Sequence, residues 1–103
     1  MKNQMRAIHP GEILKEEYLV PLGLSVNALA KALHVTPSRI NDIVLCRRGV
    51  TPDTALRLAR YFGGDAQSWL NLQQSYDLKV AEQSALKTIM KTVMPMSAVA
   101  LAH

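Results

Sequence analysis

Thr36, Ser38, Arg39, Asn41 and Asp42 crowd into one short stretch, and Arg47 and Arg48 follow a few residues later. Arginine and asparagine carry forked polar groups that match base edges in the major groove of DNA. Arg39 suits a bidentate bond to guanine and Asn41 one to adenine, each worth roughly 1–3 kcal/mol of discrimination. Thr36 and Ser38, short hydroxyl residues near a helix start, suit phosphate oxygens. Asp42 shares their outward face, and Arg47 and Arg48 stand where a DNA backbone would pass. The chemistry on offer is recognition of double-stranded DNA without any covalent step.

Other chemistries find less support. Glu12, Glu16 and Glu17 lie near one helix N-terminus, where carboxylates complement the helix dipole, and read as a solvated face rather than an acid–base pair. His9, His34, His103 and Cys46 share no ligand spacing of the i, i+4 or C-x-x-C kind, so no metal or other cofactor is expected. Cys46 has no evident base partner to make it a nucleophile. No Gly-rich phosphate loop is present, and an enzyme is not expected. Trp69, Leu72 and Tyr76 recur at helical spacing and read as core over the preceding helix rather than as a ligand box.

Charge points the same way. The formal net charge is +4, and all of the excess lies within residues 25–60. There Lys31, Arg39, Arg47, Arg48, Arg57 and Arg60 face only Asp42 and Asp53. A local basic surface of this kind is the footprint of phosphate binding.

The elements that must position these residues are legible as five helices with no strand. His9-Pro10-Gly11-Glu12 opens the first, with Pro10 at its first position, and it is expected to end near Val20, before Pro21 and Gly23. Ser25 caps the second, whose Val26, Leu29, Ala30 and Leu33 repeat at i, i+3, i+4 and i+7. Thr36-Pro37 starts the third, with Val35 stapled on Ile40 and an apolar stripe of Ile40, Ile43 and Val44. Thr51-Pro52-Asp53 starts the fourth, expected to bury Ala55, Leu56, Ala59 and Phe62. Asp65 caps the fifth, with Trp69, Leu72, Gln73, Tyr76 and Val80 on one stripe. Ser25 to Val44 thus spells two short helices about a three-residue turn, a helix-turn-helix in which the second helix enters the major groove. Ala30 is where the two helices touch, since a larger side chain would force them apart.

A chain of 103 residues fits one domain with one modest core. The polar stretch Met1–Arg6 is not a signal peptide, and the apolar tail from Met94 to Ala102 is too short for a membrane span. The single cysteine suits a reducing cytoplasm, and a cytoplasmic protein, associated with the nucleoid when on DNA, is expected. The helix-turn-helix domain is assigned to residues 1–83. Residues 84–103 form a tail expected to be helical and, being rich in methionine and other apolar residues, to contact a dimer mate or partner.

The run His9-Pro-Gly-Glu-Ile-Leu14, the spacing Leu29-Ala30…Val35-Thr36…Ile40…Ile43, the stretch Arg48-Gly-Val-Thr-Pro-Asp-Thr-Ala-Leu-Arg-Leu-Ala59, and Trp69-Leu-Asn-Leu-Gln73 with Tyr76-Asp-Leu78 together resemble the HigA-type antitoxins. These are the VapI-like branch of the repressor and Cro helix-turn-helix family. The resemblance covers about residues 8–80. It implies an all-α, lambda repressor-like five-helix DNA-binding domain with a C-terminal helical extension. It also implies a homodimer on operator DNA that represses its own operon and neutralises a HigB-type toxin that cleaves messenger RNA. A solitary regulator without a toxin, and a toxin-sequestering module without operator binding, are the alternatives. Two positions depart from the usual pattern. His34 stands where the turn commonly has Gly, and Leu45-Cys46-Arg47 replaces an Asn-Gly-like exit from the recognition helix, leaving the shape of that loop open.

Overall fold

Each helix begins at a side chain able to satisfy the free N–H groups of a first turn. In the computed structural model, which describes residues 6–97, the first helix (α1) is α-helical over Pro10–Ile13, π-helical over Leu14–Leu19 and α-helical again over Val20–Leu22. It is followed by α2 (Val26–Leu33), α3 (Pro37–Val44), α4 (Pro52–Phe62) and α5 (Ala66–Thr92). The expectations placed on residues 1–5, and on Val99, Leu101 and His103 in the tail, lie outside the described residues. Ser25, Thr36, Thr51 and Asp65 accept backbone N–H groups from Ala28, Arg39, Thr54 and Ser68 respectively, as their residue types imply.

The end of α1 differs from expectation. The helix does not stop before Pro21 but carries it through to Leu22, and Gly23 closes it at φ 61°. A proline lacks an N–H and crowds the carbonyl one turn back. The widened π turn ahead of it, in which the Val20 N–H bonds the Lys15 carbonyl, accommodates such a residue.

One apolar cluster joins all five helices: Leu14 and Leu19 of α1, Leu29, Ala30 and Leu33 of α2, Ile40 and Ile43 of α3, Ala55 and Leu58 of α4, and Trp69 of α5, with Val50 between α3 and α4. Val35 packs against it from the turn, as a staple should. On α4 the expected register needs correcting. Leu56 is exposed and Leu58 is fully buried, with Thr54 and Ala55 beside it. The inward stripe is therefore Thr54, Ala55, Leu58 and Phe62. Leu56 lies two residues from both Thr54 and Leu58, about 200° around the helix from each, and so falls on the opposite face. Tyr18 of α1 stacks on both Phe62 and Trp69, with ring centroids 4.6 and 5.4 Å apart, which makes Trp69 core.

The start of α1 is pressed onto the end of α3. Gly11 is buried, and a Cβ there would overlap the carbonyl oxygen of Ile43. His9, 3% exposed, is the N-cap: its Nδ1 accepts the Gly11 N–H at 2.8 Å while Glu12 accepts the His9 N–H. Arg6 grips Glu12 through two bonds of 2.8 Å, and the His9 ring meets Tyr76 of α5 edge-on at 4.8 Å. The His-Pro-Gly-Glu run is thus a joint between three helices.

Helix α5 outlasts the core. Trp69 is buried and Leu72, Gln73 and Tyr76 are half-buried, but Val80 is exposed rather than part of the packed stripe. The helix crosses residues 83 and 84 without a break and stretches the molecule to 62 Å along its long axis. Leu86, Ile89 and Met90 stand in solvent on this arm, followed by Val93, Met94 and Met96.

Replacing Gly11 by Ala drives a methyl group into backbone that cannot move aside, and we expect a loss of roughly 3 kcal/mol in urea unfolding. Burial pushes the His9 imidazole below its ordinary value, against weaker opposing effects of Glu12 and Asp77. The folded state therefore favours the neutral ring, whose Nδ1 must stay free to accept from Gly11. This contribution is complete above the unfolded imidazole value, about 6.5, and is lost as pH falls below it. The urea midpoint should drop between pH 7.5 and 5.5, and His9→Asn, which keeps an acceptor without a titrating ring, should flatten that drop.

Candidate nucleic-acid interface

Helices α2 and α3 are joined by His34, Val35 and Thr36 alone. The turn closes because His34 adopts a left-handed conformation, φ 59° and ψ 45°, so that its own N–H reaches Lys31 and the Val35 N–H reaches the Ala30 carbonyl at 3.0 Å. This pair of bonds is a Schellman closure. Histidine tolerates positive φ better than branched residues do, so the position that usually holds Gly keeps its geometry.

The exit from α3 repeats the device. Cys46 lies at φ 63°, the Cys46 N–H bonds the Ile43 carbonyl at 2.9 Å, and the Arg47 N–H bonds the Asp42 carbonyl at 2.7 Å. The Leu45-Cys46-Arg47 loop, whose shape the sequence left open, is a closed Schellman turn with cysteine in the glycine position. Cys46 is an exposed free cysteine, and partial desolvation of its thiol raises it above the ordinary value.

With Ile40 and Ile43 fully buried and Val44 packed against the core, α3 turns its polar residues away from it. Thr36, Ser38 and Asn41 are exposed, and the Thr36 and Ser38 hydroxyls lie 3.2 Å apart. Arg39 is half-buried and does not project freely: its Nη1 bonds Oδ2 of Asp53 at 2.9 Å. Asp42 is turned back toward Arg47, 3.4 Å away, instead of outward alone. Arg48 is exposed and, among the described residues, has no acidic partner; it lines a cleft with Arg39, Thr51, Asp53, Thr54 and Arg57. The seven residues singled out from the sequence thus fall into three sets. Thr36, Ser38 and Asn41 stand open, Arg39 and Asp42 are engaged by neighbours, and Arg47 and Arg48 flank the exit loop.

The supporting roles of four residues were not legible in the sequence. Asp53 also accepts from Arg57 Nε at 2.9 Å, and Arg57 Nη1 donates to the Leu33 carbonyl at the end of α2. Gln73, assigned only to an apolar stripe, accepts the buried Val50 N–H on Oε1 at 2.8 Å and donates from Nε2 to Asp77 at 3.0 Å. Gly49 is small for the same reason, since a Cβ there would come within 3.0 Å of the Gln73 carboxamide. The only sequence signal for Gln73 was a polar residue on an otherwise apolar stripe.

A family profile described as Helix-turn-helix matches residues 14–69. The chain belongs to the helix-turn-helix family. Within it, the chain is 69% identical over 96 residues to virulence-associated protein I of Dichelobacter nodosus, covering 93% of this chain and 87% of that protein. It is 36% identical over 78 residues to antitoxin HigA-1 of Vibrio cholerae, covering 75% and 72% of the two chains. The Pseudomonas aeruginosa antitoxin HigA, solved with the higBA promoter, superposes with a TM-score of 0.86 at 46% identity, over 88% of this chain and 99% of that one. The all-helical, repressor-like fold expected from the resemblance to HigA-type antitoxins is the one observed. Among the described residues no helix is long and apolar enough to cross a membrane.

Gln73→Ala leaves the Val50 N–H buried without a partner, a loss of about 1–3 kcal/mol. Chemical denaturation should register it, with faster amide exchange at Val50.

Proposed function

We propose that this chain is the antitoxin of a type II toxin–antitoxin module. It binds its own operator as a homodimer, represses its operon, and neutralises a HigB-type toxin that cleaves messenger RNA. The observation that carries this reading is a recognition helix braced on its apolar side and open along Ser38 and Asn41. It occurs in a chain that superposes over nearly all of a HigA antitoxin solved with promoter DNA.

In this reading α3 lies in the major groove. Asn41 and Arg39 read base edges, Thr36 and Ser38 meet phosphate oxygens, and Asp42 keeps Arg47 close to the backbone path. Arg48 neutralises a phosphate. A homodimer presents two such helices to half-sites about one helical turn apart, and the operator is correspondingly palindromic. The apolar arm beyond residue 83 supplies contact area for the dimer mate or the toxin, where flexible methionines adapt to a partner surface. The protein acts in the cytoplasm, at the nucleoid when on DNA, and has no reaction of its own.

Fluorescence anisotropy with operator and scrambled duplexes separates the roles. Arg39→Ala should weaken operator binding and relax base preference at one position. Arg48→Ala should weaken both duplexes alike and lower the salt slope by about 1. A footprint unchanged by Arg39→Ala removes that residue from base reading. Purification from the native operon should bring down a small toxin with the chain.

A further inference from the structure

We propose that Asp53 sets the sequence preference of the recognition helix by holding the Arg39 guanidinium in one orientation. Its remaining donors are thereby presented to a base edge and kept from the nearest phosphate. The proposal rests on the reading that α3 enters the major groove.

The Asp53 carboxylate is fixed from the protein side. Its Oδ2 accepts Arg57 Nε at 2.9 Å, and Arg57 is itself tied to the Leu33 carbonyl at 2.9 Å. The same oxygen accepts a single nitrogen of Arg39, Nη1, at 2.9 Å. A guanidinium carries five N–H donors in a rigid plane, so one bond leaves a complete two-pronged edge available. That edge is what a guanine O6 and N7 pair requires. The chain of contacts runs from the end of α2, through α4, to the recognition helix, and ties the aim of Arg39 to the backbone of the helix-turn-helix.

A carboxylate at this place opposes simple affinity for DNA. It lies in a cleft with Arg39, Arg48 and Arg57, and its charge repels phosphates that the three arginines attract. Hydrogen bonds from Arg57 and then Arg39 hold its carboxyl below the usual carboxylate range, so the charge persists at neutral pH. What such a group contributes is discrimination. A free arginine finds a phosphate in many orientations, whereas one tethered at Nη1 meets only a partner in the right place. It also surrenders less side-chain freedom on binding.

The test compares wild type, Asp53→Asn, Arg39→Ala and the double variant. The probes are a duplex enriched from a random pool by the wild-type chain and a scrambled duplex of equal length. Asp53→Asn should bind the scrambled duplex several-fold more tightly while gaining little on the enriched one. The preference then falls by about the same several-fold factor, centred on the base pair that Arg39→Ala relaxes. In the Arg39→Ala background Asp53→Asn should leave the preference unchanged. Asp53→Glu keeps the charge but moves the carboxylate, so it should lower the preference without strengthening scrambled binding, and it serves if the asparagine variant folds poorly. Equal strengthening on both duplexes overturns the role of Asp53 and leaves the DNA reading standing. Failure of the wild-type chain to enrich any sequence overturns the DNA reading and this inference with it.

Discussion

A helix of eight residues has no stability of its own in water, because too few backbone bonds follow the costly first turn. The recognition helix α3 exists because Ile40 and Ile43 are wholly removed from solvent. Burying those two side chains orients the helix, and with the orientation comes the exposure of Ser38 and Asn41. The other contacts around α3 protect that burial. Ala30 lets α2 approach, and Gly11 lets the start of α1 close against the Ile43 carbonyl. The two Schellman turns end the helices on either side of the pair. Replacing any of these by a larger or less pliant group moves the apolar stripe and hence the polar one.

The electrostatics follow a different logic from the packing. Half of the basic residues between positions 25 and 60 are already engaged: Arg39 and Arg57 on Asp53, and Arg47 near Asp42. Exposed ion pairs of this kind add little to stability. Their effect is geometric, since each draws a long side chain into one place. Lys31, Arg48 and Arg60 have no acidic partner among the described residues, and in the proposed reading Arg48 supplies unspecific attraction for phosphate. In that reading affinity and selectivity fall to different arginines, Arg48 and Arg39.

Helix α5 divides its length between two tasks. Its first half completes the core through Trp69, fixes the loop after α3 through Gln73, and meets the α1 cap through Tyr76. Its second half leaves the globule and exposes apolar residues that a lone helix has no reason to display. The same continuous helix thus links the loop after α3 to an exposed apolar surface, without a break between residues 66 and 92.

Much of this was legible in local chemistry. Ser25, Thr36, Thr51 and Asp65 marked helix starts because capping depends on a few neighbouring residues, and the stripe of Leu29, Ala30, Leu33, Ile40 and Ile43 followed from helical period alone. The sequence by itself therefore determined the helices, the helix-turn-helix and the set of polar residues on its outer face. Only the tertiary structure decided that Pro21 stays inside α1, that Leu58 and not Leu56 is core, and that Gly11 marks a helix contact. It alone joined Arg39 to Asp53, fourteen residues away, and Gln73 to Val50, twenty-three residues away. The physical reason is range. Caps and periodicity are set within one or two turns, whereas a shared carboxylate or a buried N–H acquires its partner only when distant helices have packed.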